Sequence, residues 1–281
     1  MRGRWRAAAL PLAGMVAAGL AAGCGPRGAD RAAAPAADAV ATRSGKLHLA
    51  RARGAPGDTI TGHATYEVEW PDPAAIPGTS RLADSVRLAI RWAAAESAAD
   101  GAGRPLPPDS LAARFLASHA RTVREFPHGP REWSIRRRIT LETLAFGLVT
   151  LRTEDERHEG GAHGMATTIY TSFDPKTGVR LRLADVIDPA GRDSLRAAGE
   201  RAFRAAHAIA PGADLEAAGF FTGKGGRFEL SDNFGVTRAG LVFHWNPYDI
   251  APYSSGPSTI TLPWDEVRPH LKADGPLAMG R

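Results

Sequence analysis

The stretch Thr167-Thr168-Ile169-Tyr170-Thr171-Ser172-Phe173-Asp174-Pro175-Lys176-Thr177-Gly178-Val179-Arg180-Leu181-Arg182-Leu183 decides the fold class. Its first seven positions are rich in β-branched and aromatic residues, which favours a strand. Pro175 then fixes one φ and Gly178 permits a positive one, so Asp174 to Gly178 reads as a turn and Val179 to Leu183 as the returning arm of a hairpin. A hairpin is antiparallel, and the flanking sequence repeats the theme. Ala64, Tyr66, Val68 and Trp70 alternate with polar residues until Pro71 and Pro73 stop the run. Trp133, Ile135, Ile139 and Leu141 alternate with Ser134, Arg136, Arg138 and Thr140, and residues 144–153 make a second strand-like run that pairs with them. The basic run Arg136-Arg137-Arg138 is read within that pattern as a solvated face, with an anionic-polymer patch as the alternative.

Helical spacing appears between these runs. Leu82, Val86, Ala89, Ile90 and Ala93 follow the capping residues Thr79 and Ser80, and Leu111, Phe115 and Val123 follow Asp109 and Ser110. Residues 101–108 link the two helices as a loop. A third helix is expected from Arg192 to Ile209, ended by Pro211-Gly212. Strands are expected near Phe228, from Leu241 to Trp245 and from Ser258 to Leu262, then a short helix from Trp264 toward Leu271. Strands and helices cluster and do not alternate as βαβ units. The expected class is α+β, with mostly antiparallel sheets, packed helices and two small subdomains, residues 61–160 and 161–272, before a tail at 273–281.

The N-terminus sets the location. Arg2, Arg4 and Arg6 precede an apolar run from Ala7 to Ala22, and Leu20-Ala21-Ala22-Gly23 leads into the single cysteine, Cys24. These are the regions of a secretory signal, residues 1–23. The run is interrupted by Pro11, Gly14 and Gly19 and is short of the roughly 20 apolar residues of a spanning helix. Lipidation of Cys24 accounts for a cysteine with no intrachain partner, although Leu20 stands one position earlier than the usual lipobox leucine. The expected product is an extracytoplasmic lipoprotein, facing periplasm or cell surface and held to the membrane by its lipid anchor. Residues 24–60, dominated by Ala, Pro, Gly, Arg and Asp, read as a disordered tether. As a coil of about 35 residues it would reach roughly 30 to 35 Å. Lys46 to Ala50 is a possible short strand within it. The formal net charge of +5 includes the three arginines of the signal, so the mature chain is nearly balanced. That balance argues against a nucleic-acid partner, which requires concentrated positive charge.

Two segments stand apart from generic core: His158-Glu159-Gly160-Gly161-Ala162-His163-Gly164, and NPYDIAPYSSGP at 246–257. The histidines resemble a zinc-binding helix motif, but they are one residue too far apart and Gly160 and Gly161 break a helix, so a turn between strands is expected. A site joining His63, His163 and a carboxylate around zinc is a weaker alternative; no metal or other cofactor is assigned. In the second segment Pro247, Pro252 and Pro257 fix φ, Asn246 caps a turn, and Tyr248 and Tyr253 offer flat amphipathic faces suited to sugar or protein contact or to sealing the core edge. No G-x-S-x-G elbow is present, and no catalytic residue is assigned.

The order GGAHG, then Phe173-Asp174-Pro175-Lys176-Thr177-Gly178 with Leu181, Leu183, Ala184 and Asp185, then NPYDIAPYSSGP and Ile260-Thr261-Leu262-Pro263, resembles the extracellular domain of RsiV-type anti-sigma factors that sense lysozyme. Tyr66-Glu67-Val68-Glu69-Trp70-Pro71 and the run from Trp133 to Glu159 resemble the companion domain also found in PdaC-type peptidoglycan deacetylases. The resemblance spans about Gly62 to Leu271. The sigma-binding part and spanning helix of the sensors have no counterpart in this sequence, and Ser172-Phe173-Asp174-Pro175 is not the T-F-D-D start of the deacetylases. The resemblance therefore implies a non-catalytic binding module for peptidoglycan or a lysozyme-like wall hydrolase, with no individual contact residue carried over. The residues expected to bind are His163, Asn246, Tyr248, Asp249 and Tyr253, with Gly160 and Gly161 shaping the turn. The rival classes are an envelope hydrolase using the His163 region, with or without a metal, and a scaffold lipoprotein that meets another envelope protein.

Overall fold

Six strands form the larger sheet in sequence order: β1 (Asp38–Thr42), β2 (Lys46–Arg51), β3 (His63–Glu69), β4 (Glu132–Thr143), β5 (Val149–Glu159) and β6 (Met165–Phe173). The computed structural model describes residues 38–42, 46–51, 63–71, 80–128, 132–143 and 148–278. The expected signal peptide and the lipidation of Cys24 lie outside them. Neighbouring strands pair antiparallel except β3 and β4, which run parallel. That exception has a topological cause. Parallel neighbours need a long crossover, and here it carries two helices, α1 (Ser80–Ala94) and α2 (Pro108–Glu125). Period-2 alternation along β3 puts Ala64, Tyr66 and Val68 on the helix side, where they meet Ile135, Ile139 and Leu151 of the sheet and Val86, Ile90 and Phe115 of the helices. In the segment expected to be a disordered tether, β1 and β2 instead extend the sheet, β2 in antiparallel register with Ala64 to Glu69 of β3 and over the short strand expected at Lys46 to Ala50.

The second sheet is three-stranded and antiparallel, β7 (Phe234–Val236), β8 (Gly240–Trp245) and β9 (Ser258–Pro263). Before it come α3 (Leu183–Val186) and α4 (Arg192–Ala206), and α5 (Trp264–Val267) follows. Leu195 and Phe203 of α4 pack on Leu241, Phe243, Ile260 and Leu262. The Phe203 ring lies 5.0 Å from Phe220, 5.1 Å from Phe228 and 5.5 Å from Trp245. Burying such a ring stabilises the fold by roughly 1.5–3 kcal/mol. The strand expected near Phe228 is irregular chain held by a bridge between Gly223 and Arg227. The three-residue β7 was too short for its alternation to show in the sequence.

β6, near the start of the segment 161–272, pairs with β5 over nine residues and completes the first sheet; its Phe173 packs in the core of that sheet, while Leu148, earlier in the chain, packs in the other core. The turn after β6 forms as expected, with Gly178 at φ +70° and its N–H on the Asp174 carbonyl at 2.8 Å. The returning arm is only an Arg180 bridge to Phe173 and a 2.8 Å bond from the Leu181 N–H to the Ser172 carbonyl. It stops there because the Asp185 carboxylate accepts the Arg182 N–H at 2.8 Å and starts α3.

Buried hydroxyls join the two halves. Thr150 Oγ1 donates to the Val236 carbonyl at 2.7 Å, and the Val236 N–H donates to Ser172 Oγ at 3.0 Å. Beside them Gly235 lies against Tyr170, where an added Cβ would stand 2.6 Å from Cδ1 of the ring.

Candidate functional site

The GGAHG segment is the β5–β6 turn, as its glycines predict, with Gly160 at φ +78°. Its two histidines diverge. His158 Nδ1 lies 3.2 Å from the Glu132 carbonyl at the start of β4, whereas His163 Nδ1 lies 2.9 Å from the Gly164 carbonyl. Among the described residues no cluster of three or more His, Cys, Asp or Glu side chains is arranged to hold a metal ion.

The outer edge of β6 explains much of the second segment. Edge strands expose unpaired backbone groups, and here side chains from the C-terminal half cover them one after another. Asn233 Nδ2 donates to the Thr168 carbonyl at 2.7 Å while its Oδ1 accepts the Tyr170 N–H at 2.9 Å. Asn246 Oδ1 accepts the Thr168 N–H at 2.6 Å. The Tyr253 hydroxyl donates to the Gly164 carbonyl at 2.5 Å. Asn246 and Tyr253 therefore hold the loop to the sheet, and Asn233 shares that role, which its sequence context did not reveal. Asp249 is also partly engaged, because its Oδ2 accepts the Asn246 N–H at 2.8 Å.

The covering contacts leave an aromatic array at the surface. His163 stacks on Tyr253 with centroids 3.8 Å apart and planes at 22°, and Tyr248 lies 5.8 Å from Tyr253. Tyr248 is 53% exposed. The Asp249 N–H donates to the Asn246 carbonyl at 3.0 Å, closing a turn with Pro247 at its second position and Tyr248 at its third. Tyr248 has φ +73° there, a conformation that favours glycine. A large ring is held outward at a strained position, which is the arrangement functional loops keep. Of the residues expected to bind, His163, Tyr248 and Tyr253 come together; Asn246 lies beneath them and Asp249 beside them.

A second cluster is structural. Arg137 was read as part of a solvated run, but its parity with Ile135 and Ile139 puts it on the helix-facing side, where it is 6% exposed. It pairs there with Asp155 and, at 3.4 Å, with Glu96, which also takes Arg157 at 2.7 Å. The Tyr66 hydroxyl donates to Glu96 at 2.8 Å. Burial opposes ionisation of Glu96, but the charge of Arg137 and the hydrogen bonds from Arg157 and Tyr66 outweigh it and hold the carboxyl below its usual range. Arg136 and Arg138 do face solvent, bonded across the sheet to Glu67 and Glu69. His244 is buried on β8, with Nδ1 2.8 Å from Thr259 Oγ1. Burial lowers its pKa, and the Asn246 amide and Asp249 charge offset this only in part.

No curated protein matches the chain. Among solved structures it is similar to a DUF3298 family member from Bacteroides fragilis NCTC 9343, with 19% identity and a TM-score of 0.62 over 84% of this chain and 94% of that one. A DUF3298 family protein from Pseudomonas aeruginosa PAO1 is similar at 19% identity and a TM-score of 0.52, over 81% of this chain and 93% of that one. At such identity the likeness is one of fold. The segment that carries α4, the three-stranded sheet and the aromatic loop, residues 184–265, matches the family described as a protein of unknown function (DUF3298).

Proposed function

We propose that this chain is a lipid-anchored, extracytoplasmic and non-catalytic binding module, and that its ligand is the glycan of the cell wall. The observation that carries the reading is the surface array of exposed His163, half-buried Tyr253 and exposed Tyr248, with Tyr248 held outward at φ +73°. Flat aromatic faces stack on the apolar faces of sugar rings while their polar edges reach hydroxyls. The signal-like segment ending at Cys24 supports a location outside the cytoplasm. Likeness of GGAHG and NPYDIAPYSSGP to RsiV-type sensors supports a wall-facing role and favours a second reading, a lysozyme-like wall hydrolase as the bound partner.

The test is sedimentation of the purified full chain with isolated peptidoglycan. Tyr248→Ala is expected to weaken binding about tenfold, which corresponds to about 1.4 kcal/mol, with an unchanged circular dichroism spectrum. A folded Tyr248→Ala protein that sediments like the unaltered chain refutes the array as the glycan site. If the chain stays in the supernatant but forms a stoichiometric complex with lysozyme, the second reading replaces the first.

A further inference from the structure

Two grooves of the C-terminal half share a wall. One, of about 860 Å³, is lined by Arg180, Arg192, Arg196 and Arg227 above Leu195 and Leu230. The other, of about 480 Å³, is lined by Asp232 and Asp249 with Phe221 and Trp245. Glu229, Leu230 and Asp232 line both, so the two grooves adjoin across that segment and make up a channel whose one side carries five arginines, Arg182 among them, against Asp193, Glu229 and Asp232, and whose other side carries only carboxylates, Glu229, Asp232 and Asp249, beside apolar residues. Each is of the size of ordinary small-ligand sites.

The charges in the channel are not all spent within the protein. Arg227 pairs with Asp193, and Arg196 lies between Asp193 at 3.7 Å and Glu200 at 3.6 Å. Arg180 and Arg192 are exposed and have no carboxylate partner among the described residues. Arg192 also opens α4, where the positive end of the helix dipole disfavours a cation, so an anion there would relieve two like-signed sources at once. Asp232, on the segment shared by the two grooves, makes no ion pair with a described residue, and on the acidic side Asp249 accepts one side-chain hydrogen bond from the described residues, at Oδ2. A polyanion fits the basic end and is repelled by Asp232 and Asp249, and a polycation meets the reverse. Charge order selects a short zwitterion.

We infer that the channel binds the short peptide carried by a wall glycan strand, its carboxylates over Arg180 and Arg192 and its side-chain ammonium at Asp232 and Asp249. The identity of the polymer rests on the wall-binding reading above, whereas the charge order belongs to the groove. Asp249 follows Tyr248 directly, so the acidic end of the channel adjoins the aromatic array. A peptide joined to the sugar through its amino end would then run from the array toward the arginines and leave its free carboxyl terminus there. Guanidinium forks match carboxylates in two-point hydrogen bonding.

Calorimetric titration of the full chain with four probes tests this: a peptide-free wall disaccharide, the same disaccharide bearing a tetrapeptide with two carboxylates and one side-chain ammonium, that tetrapeptide alone, and inorganic polyphosphate. The disaccharide tetrapeptide is expected to bind at least tenfold more tightly than the peptide-free sugar. The double variant Arg180→Glu, Arg192→Glu, whose side chains are exposed and without a carboxylate partner among the described residues, should remove that gain and leave sugar binding and thermal stability unchanged. Asp232→Asn should reduce the gain several-fold. Equal affinity for the two sugar probes, or polyphosphate binding tighter than the peptide probe, overturns the inference. Should the tetrapeptide alone bind and the double variant lose it while neither sugar adds affinity, the channel stands and the glycan reading falls; sugar binding without any peptide effect is the reverse.

Discussion

Replacing Tyr248 by glycine should leave the protein more stable than replacing it by alanine. At ordinary backbone angles the order is opposite, because glycine loses more conformational freedom on folding and costs about 0.5–1 kcal/mol relative to alanine. At Tyr248 φ is +73°, where any side chain clashes with its own backbone at about 1–2 kcal/mol. Both substitutions delete the ring and its 5.8 Å contact with Tyr253, a loss of about 0.5–1.5 kcal/mol common to the two. Only glycine relieves the strain. The difference, relieved strain less added unfolded-state entropy, places Tyr248→Gly about 0.5–1 kcal/mol above Tyr248→Ala. Urea unfolding followed by circular dichroism, with equal slopes for the two variants, reads that difference as a shift in midpoint. Both variants should weaken glycan binding equally, since neither presents a ring. An alanine variant as stable as the glycine variant, or more so, would show that the loop relaxes and that Tyr248 is not held outward by a strained backbone.

Other substitutions probe the frame. Arg137→Met leaves Asp155 and Glu96 to share Arg157, at 3.5 and 2.7 Å, in a mostly buried setting and should cost about 3–5 kcal/mol by urea unfolding; a loss below 1 kcal/mol would show that Arg157 suffices to hold both carboxylates. Gly235→Ala places a methyl group 2.6 Å from the Tyr170 ring and should cost about 1–3 kcal/mol in the same assay, and a neutral result would mean the two halves part easily at that point. Asn246→Ala strands the Thr168 N–H on the half-buried edge of β6 and should cost about 1–3 kcal/mol, with faster amide exchange at Thr168 as its local signature. Stability should also depend on pH through His244. Burial keeps the folded imidazole neutral below its ordinary range, the unfolded state takes up a proton near pH 6.5, and so this contribution is full above about pH 6.5 and declines as pH falls below it. His244→Gln should flatten the decline between about pH 6.5 and 5, and an unchanged slope would assign it elsewhere.

Much of the fold was legible because period and turn chemistry are local. The alternation of Ala64, Tyr66 and Val68, the hairpin of β4 with β5, and the turn at Asp174 to Gly178 all follow from residues within a few positions of one another. The parallel pairing of β3 with β4 did not, because it depends on where two helices return the chain. Arg137 was misread by residue type: three consecutive arginines look solvated, yet alternation fixed through Ile135 and Ile139 sends the middle one inward, and its distant partners Glu96 and Asp155 make that tolerable. The site was half legible. Pro247 and Pro252 announced an ordered loop and Tyr248 an exposed ring, but Asn233 gave no signal, since a side chain that caps a strand edge is recognised only once the strand is in place. The channel from Arg180 to Asp249 gathers residues from four separate segments and has no linear pattern to find.

The edge of β6 also bears on why Asn246 and Tyr253 stand beside Tyr248 in one loop. Each of the first two uses its polar atom on β6 or on Gly164 just before it, so the loop between them is pinned at both ends to the edge strand of the larger sheet or to the turn that leads into it. Pinning at two points is what allows the turn between them to hold a tyrosine at positive φ, because a loop tied at one end would rotate and release the strain. The same bonds fix His163, whose Nδ1 and the Tyr253 hydroxyl meet the same Gly164 carbonyl, so that the two rings stack. Rigidity of the array thus comes from hydrogen bonds that never touch a ligand. It follows that Tyr253→Phe, which keeps the ring and drops one anchor, should weaken glycan binding by loosening the array while leaving the global unfolding midpoint nearly unchanged. Faster amide exchange confined to residues 246–256 would mark that mechanism, whereas weaker binding with no local change in exchange would mean the hydroxyl acts on the ligand directly.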